Sequence, residues 1–197
     1  MMKIKLIGKN ALVGASSKGL GKAVATQLAK CGASVTLVAS NNSNLKETLA
    51  QLDTSFNQNH QILNVNYNDF EGYKAIIKHY FKINSIDILV NNTQGPEGGT
   101  IEEKTTANYQ HAFDLLFKTT QLTTTLALEN MTEQGFGRII NCTSISIKEP
   151  LNHLVLSNSI RAAIITWAKT LANTVAKNGI TVNNILTVFL ILKEYKV

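Results

Sequence analysis

A glycine-rich turn near the start of the chain carries the residue types that bind phosphate. Its eight residues are Gly14, Ala15, Ser16, Ser17, Lys18, Gly19, Leu20 and Gly21. Glycine has no Cβ, so its backbone reaches positive φ and lets a phosphate approach closely. The N-terminus of a following helix adds free N–H groups and about half a positive charge. The turn therefore predicts a nucleotide site, although a glycine pattern alone is also typical of a tight packing turn.

The elements around this turn alternate between short β-branched segments and longer helical patterns. The predicted strands cover residues 10–14, 34–39, 61–65, 86–91, 137–143 and 180–186. The predicted helices cover residues 20–30, 44–52, 70–81, 106–131 and 156–177. This rhythm predicts a doubly wound α/β sandwich of three layers, with a parallel sheet of about six strands covered on both faces. We expect residues 1–197 to form one Rossmann-type dinucleotide-binding domain with strand order 3-2-1-4-5-6 and no seventh strand.

Several segments resemble motifs of the short-chain dehydrogenase/reductase family, which includes 3-oxoacyl-acyl-carrier-protein reductases. The family's first turn, Thr-Gly-x-x-x-Gly-x-Gly, aligns with its Thr at Gly14, its first Gly at Ala15 and its last glycines at Gly19 and Gly21. The other similar segments are NNTQ at residues 91–94, NCTS at residues 141–144 and GITVN at residues 179–183. The matches run from about residue 9 to 186, so the resemblance covers nearly the whole chain.

The resemblance implies a dinucleotide site at the carboxyl ends of the strands. The residues expected to bind the cofactor are Gly14, Ser16, Ser17, Lys18, Gly19, Leu20, Gly21, Ser40, Asn64, Val65, Asn91, Asn92 and Arg161. An acidic residue at the end of the second strand would bind the ribose 2′-hydroxyl of NAD, but Ala39 stands at that place, followed by Ser40. Lys18 matches the basic place of NADP-using members, unless it is a solvated loop lysine. We therefore expect NADP, with NAD as the less favoured alternative.

The family's catalytic residues are largely replaced in this chain. In the family, a Ser binds the carbonyl oxygen, a Tyr donates the proton, and a Lys four residues later lowers the pKa of that Tyr. Ser144 fills the Ser place, but Ser157 stands at the Tyr place and Arg161 at the Lys place, while Leu116 replaces an Asn that orders a water. The resemblance thus makes Ser144, Ser157 and Arg161 the candidate catalytic residues of an atypical site.

Composition and charge argue against several other classes of protein, namely disordered, membrane-spanning, nucleic-acid-binding and metal-binding proteins. Hydrophobic residues make up 44% and charged residues 16%, which is typical of a globular domain. No apolar segment has the roughly 18 residues that span a bilayer, so we expect a cytoplasmic protein without a membrane partner. The net charge of +6 comes from scattered Lys and Arg, and we expect no nucleic-acid partner. Cys31 and Cys142 lack metal-ligand spacing, so both are interpreted as reduced and no metal site is expected.

The end of the chain departs from the family pattern. The family continues after the sixth strand with Pro-Gly, a substrate loop and further elements, whereas Thr187 and Val188 are followed here by nine residues. We expect a C-terminally truncated domain, either naturally shortened or produced by a frameshift. The frameshift hypothesis rests on the segment VFLILKE at residues 188–194. DNA that encodes it can read GFSYTER, a family-like continuation, after a shift of one nucleotide.

Three functions stay open on the sequence alone. The first is an NADP-dependent oxidoreductase that acts on a small carbonyl or acyl substrate, such as a 3-oxoacyl compound. The second is a non-catalytic nucleotide-binding or scaffolding protein, and the third is a frameshifted, inactive fragment. For a folded chain, the resemblance implies a homo-oligomer that packs through the two long predicted helices, 106–131 and 156–177.

Overall fold

Six parallel strands form the centre of the computed structural model, which describes residues 4–188. They are β1 (Asn10–Gly14), β2 (Ser34–Ala39), β3 (Gln61–Asn64), β4 (Ile88–Asn91), β5 (Gly137–Ser144) and β6 (Ile180–Thr187). Their order in the sheet is β3-β2-β1-β4-β5-β6, and every neighbouring pair is parallel. The predicted strand order is therefore confirmed. The predicted tail at 189–197 lies outside the described residues.

Helices connect the strands and cover both faces of the sheet. They are α1 (Gly19–Lys30), α2 (Asn42–Ala50), α3 (Phe70–Ile83), α4 (Thr106–Ala112), α5 (Thr119–Gln134) and α6 (Val155–Val175). Short 3-10 turns, Ile145–Ile147 and Ala176–Asn178, follow β5 and α6. The fold is thus the predicted three-layer sandwich.

Alternation along the strands divides the core into two clusters. In β1, Ala11 and Val13 pack with the α1 residue Ala25 on one face, while Leu12 packs on the other. The second face is larger and takes side chains of α3, α5 and α6, among them Ile77 and Ile160. Because side chains alternate across a strand, a single buried strand supplies both cores.

Side-chain caps decide where several helices begin. The Asn41 side chain accepts the N–H of Asn44 at 2.9 Å, so α2 begins two residues before the predicted start at 44. Asp69 caps α3 through the N–H of Gly72 at 3.0 Å. Thr105 caps α4 in a reciprocal arrangement with Asn108.

The helix predicted over 106–131 is interrupted and longer than expected. A π-helical segment, Phe113–Lys118, separates α4 from α5, and α5 continues to Gln134. The Thr119 N–H and the Thr119 hydroxyl both donate to the Asp114 carbonyl, the hydroxyl at 3.1 Å, so this acceptor is bonded across the wider turn. Gly135, with φ of 64°, then ends the helix in the left-handed conformation.

Candidate cofactor and active site

Two glycines of the turn stand where a side chain would not fit. A Cβ on Gly14 would lie 2.1 Å from the carbonyl oxygen of Asn92, so the ends of β1 and β4 approach closely only with glycine there. The Asn92 side-chain amide also donates to the Gly14 carbonyl at 3.2 Å. A Cβ on Gly21 would lie 2.3 Å from the Ala15 carbonyl oxygen. The turn therefore packs closely against the carboxyl end of the sheet, with Gly14 next to Asn92 and Gly21 next to Ala15.

The residues after Gly14 are bonded to neighbouring elements. Ser16 is fully buried: its N–H donates to the Val38 carbonyl at 3.1 Å, and its hydroxyl accepts the Val38 N–H at 2.9 Å. Thr48 of α2 donates to the Ser17 carbonyl at 3.4 Å. The Ser16 side chain, expected at the cofactor, is thus bonded to β2 and supports the turn from beneath.

The start of α1 is open to an anion. Its N-cap, Lys18, is extended and makes no side-chain cap, and the first helical turn holds no acidic residue. Lys22 is the first residue of the helix whose N–H is bonded, to the Lys18 carbonyl at 3.3 Å. Within residues 4–188, the N–H groups of 17–21 have no acceptor. Five consecutive N–H groups beside the exposed Lys18 suit a pyrophosphate.

The predicted cofactor residues at the end of β2 and β3 lie together. The Asn64 side-chain amide donates to the Ala39 carbonyl at 3.1 Å and to the Ser40 carbonyl at 2.9 Å. Val65 is buried and its N–H donates to the Ala39 carbonyl at 3.0 Å. Ser40 and Asn41 are exposed next to this corner, and neither carries a negative charge. The corner therefore offers a ribose 2′-phosphate polar groups and no repulsion.

Asn91 belongs to a ladder of amides across three strands, which sequence reasoning missed. Its side chain donates to the Thr124 hydroxyl and to the Asn141 side-chain carbonyl, both at 2.9 Å. Asn141 donates in turn to the Asn184 side-chain carbonyl at 3.0 Å. The three asparagines are aligned in the register of β4, β5 and β6. The buried Asn91 side chain thus binds the sheet and α5, and its expected cofactor contact stays a prediction.

Arg161 links Ser157 of α6 to the carboxyl end of β5, the strand that ends at Ser144. Its Nε donates to the Ser157 hydroxyl at 3.1 Å, and its Nη1 donates to the Cys142 carbonyl at 2.8 Å. Ser144 ends β5 two residues later, and its hydroxyl accepts the Ser146 N–H at 3.1 Å. Both serines are nearly buried, and each receives a hydrogen bond that leaves its own O–H free to be donated.

The electrostatics of this corner are dominated by one cation. Burial lowers the pKa of the Arg161 guanidinium, and arginine keeps its charge in proteins near neutral pH. Burial raises the pKa of the Cys142 thiol, although the Arg161 charge partly offsets this. Within the described chain, no carboxylate lies within 4.0 Å of the guanidinium. The charge is thus available to an oxygen that becomes negative during a reaction.

The π-helical segment between α4 and α5 holds Leu116. Leu116 is buried and packs in the same core cluster as Leu156 and Ile160 of α6. Its side chain has no polar atom with which to order a water, and the expectation that it replaces a water-ordering asparagine of the family stays a prediction.

Comparison with known proteins decides the family. A sequence model of the short chain dehydrogenases matches residues 9–190. The chain belongs to the short-chain dehydrogenase family. The described residues contain no helix that is long and apolar enough to cross a membrane.

Similar members of the family include curated proteins and solved structures. An uncharacterized oxidoreductase of Staphylococcus epidermidis is 30% identical over 185 residues, which cover 94% of this chain and 78% of the relative. A 3-oxoacyl-[acyl-carrier-protein] reductase of Aquifex aeolicus is 27% identical over 190 residues, covering 96% and 77%. The L-sorbose reductase of Gluconobacter frateurii, solved with NADPH and L-sorbose, is 32% identical with a TM-score of 0.86, covering 94% of this chain and 71% of that one.

Proposed function

We propose that this short-chain dehydrogenase binds NADP(H) and reduces a small carbonyl compound, such as a 3-oxoacyl compound. The proposal rests on two neighbouring features at the carboxyl ends of β1 and β2. One is the uncapped start of α1 with its free N–H groups, and the other is the corner at Ala39 and Ser40, which lacks a carboxylate. The similar L-sorbose reductase was solved with NADPH, which supports the same cofactor.

The residues of the turn fit such a cofactor in defined places. The N–H groups of 17–21 would hold the pyrophosphate, and the side chains of Lys18 and Ser40 would bind the 2′-phosphate of the adenosine ribose. Asn64 and Val65 would border the adenine, since they shape the wall at the ends of β2 and β3. When bound, NADPH supplies the hydride for carbonyl reduction.

Ser144, Ser157 and Arg161 would stabilise the charge that develops on the substrate oxygen. As the carbonyl carbon accepts a hydride, its oxygen becomes an alkoxide, and two serine O–H groups can donate to it. The Arg161 cation polarises the Ser157 hydroxyl through the Nε hydrogen bond. A serine is a weaker acid than a tyrosine, so the final proton is expected to come from solvent, and turnover is expected to be slow compared with a tyrosine-bearing site.

A non-catalytic nucleotide-binding protein is the second candidate. It is favoured by Leu116, whose apolar side chain fills the place of a proton-relay residue, and by the absence of a Tyr at Ser157. Both candidates predict cofactor binding, so only turnover separates them.

Two measurements test these candidates. Fluorescence titration with NADPH should show saturable binding, and NADPH oxidation should be followed with 3-oxoacyl thioesters, quinones and aldehydes. Ser157→Ala should lower turnover at least about tenfold. The matched control is Ser159→Ala, which removes an exposed hydroxyl on the same helix. Binding without any turnover would favour the non-catalytic candidate, and no binding would refute both.

We also propose that the protein forms a homo-oligomer through α5 and α6. Four of the exposed side chains on the first half of α6 are small, namely Ser159, Ala162, Ala163 and Thr166. Small side chains let a second helix approach closely, and a second copy of this chain has the same face to offer.

A further inference from the structure

Tyr67 lies between the glycine-rich turn and β2, and its hydroxyl is bonded to both. The side chain is 4% exposed and follows β3 in the chain. Its hydroxyl accepts the Ala15 N–H at 3.1 Å and donates to the Val38 carbonyl at 3.4 Å. The same Val38 carbonyl accepts the Ser16 N–H. Tyr67 therefore completes the set of bonds that fixes the turn to the sheet.

The residue that Tyr67 holds has a strained backbone. Ala15 has φ of 44°, in the left-handed region where a Cβ crowds the following carbonyl. Glycine adopts this region freely, and the family pattern has glycine at this place. The Ala15 carbonyl also lies against Gly21 of α1, where a Cβ would collide with it. The conformation of Ala15 therefore sets how closely α1 approaches the turn.

We propose that Tyr67 is a positioning residue of the cofactor site, and that its hydroxyl holds Ala15 in the conformation that glycine would otherwise adopt freely. The inference rests on the proposed NADP(H) binding. Tyr67 touches no cofactor atom in this scheme, because it acts from beneath the turn, through the Ala15 backbone. Its effect is to keep the N–H groups of 17–21 pointing to one place before an anion arrives, which lowers the ordering cost of binding.

The environment of Tyr67 keeps the hydroxyl in the form that this role needs. Burial, together with the neighbouring Tyr73, raises the pKa of Tyr67 above its usual range, so the hydroxyl stays neutral and can both donate and accept. The two rings lie 5.6 Å apart, but the Tyr73 hydroxyl is bonded to Thr123 of α5. Tyr73 thus offers a matched control: it is equally buried and loses one hydrogen bond, but its hydroxyl does not reach the turn.

The test compares Tyr67→Phe with Tyr73→Phe in two measurements. Hydrogen exchange of the Ala15 amide, without cofactor, should accelerate about tenfold or more in Tyr67→Phe and stay within about twofold in Tyr73→Phe. The NADPH Kd from fluorescence titration should rise about three- to tenfold in Tyr67→Phe, as expected for the loss of the one hydrogen bond that reaches Ala15. In Tyr73→Phe the Kd should stay within about twofold of wild type.

A rescue variant separates positioning from general destabilisation. In Tyr67→Phe combined with Ala15→Gly, the backbone reaches φ of 44° without strain, so the NADPH Kd should return to within about twofold of wild type. A merely structural tyrosine would not be rescued in this way. Equal losses of affinity in Tyr67→Phe and Tyr73→Phe, or a double variant that binds no better than Tyr67→Phe, would overturn the proposal.

The exchange measurement keeps this inference distinct from the proposed function. A wild-type protein that does not bind NADPH refutes the proposed function, while the Ala15 amide still reports whether Tyr67 holds the turn. If Tyr67→Phe does not fold, hydrogen exchange of the wild-type protein still tests whether Tyr67 holds the turn. The Ala15 amide should be as protected as those of β1, and the Ser17 amide should exchange at least about tenfold faster. An unprotected Ala15 amide would contradict the inference.

Discussion

Replacing Gly14 by alanine should separate the ends of β1 and β4, because the new Cβ would lie 2.1 Å from the Asn92 carbonyl oxygen. Carbon and oxygen atoms without a covalent bond approach to about 3.3 Å, so the strands must move apart by roughly 1 Å. Overpacking of this kind costs about 1–3 kcal/mol. Weakening of the Asn92 to Gly14 hydrogen bond adds about 0.5–1.5 kcal/mol. We expect the free energy of unfolding to fall by about 2–4 kcal/mol.

Urea denaturation followed by circular dichroism measures this change directly, and Tm should fall by about 5–15 °C for a chain of this size. Gly95→Ala is the matched control, because a Cβ on Gly95 meets nothing within 4 Å. It should change the free energy of unfolding by less than about 0.5 kcal/mol. If both variants were equally stable, the close approach at Gly14 would not require glycine and the reasoning would be refuted.

Four further variants or conditions test other parts of the structure. Ser40→Asp adds an exposed carboxylate next to the buried Ala39, which favours a ribose 2′-hydroxyl over a 2′-phosphate, so the ratio of NADH to NADPH affinity should rise about tenfold or more in fluorescence titrations; an unchanged ratio would argue against a 2′-phosphate at this corner. Arg161→Lys loses the donor to the Cys142 carbonyl and should lower the free energy of unfolding by about 1–3 kcal/mol in urea, whereas no change would mean that this bond is replaced. Burial raises the pKa of Tyr73 to about 12, while a Tyr in the unfolded chain titrates near 10. The neutral Tyr73 hydroxyl therefore contributes fully to the free energy of unfolding below about pH 10, and this contribution is lost as the pH rises towards 12. Urea unfolding at about pH 8 and about pH 11 should show this fall, and Tyr73→Phe should reduce it. Ala163→Arg on the exposed face of α6 should shift the mass from light scattering towards the monomer, and an unchanged oligomer would place the contact elsewhere.

Most of the fold could be predicted, because β-branched segments and amphipathic segments alternate with little ambiguity. The errors lie at element ends, where long-range contacts decide. The fourth strand was expected from residue 86 but begins at Ile88. Just before it, the Asp87 carboxylate accepts from Lys9 and from the N–H of Asn10, both at 2.8 Å. These partners are nearly eighty residues away, so no local pattern could reveal them.

The candidate site was predictable only in part, for the same reason. The bond between Arg161 and Ser157 follows from their spacing, because residues four apart lie together on a helix. The inward direction of Ser16 and Asn91 does not follow from local sequence, since their partners are on β2, α5 and β5. Tyr67 was missed because its contact with the turn spans 52 residues and belongs to no family motif.

The ladder of Asn91, Asn141 and Asn184 has a consequence for how the strands find their partners. A strand that slips by one residue turns its apolar side chains to the wrong face, and the hydrophobic effect prevents this error. A slip by two residues keeps every face correct, so apolar burial hardly opposes it. In β6 such a slip would put Val182 or Leu186 beside Asn141 and leave a buried amide unsatisfied, at a cost of about 1–3 kcal/mol. The amide ladder therefore selects the native register of β6 against a shift of two residues, which apolar side chains alone would not disfavour.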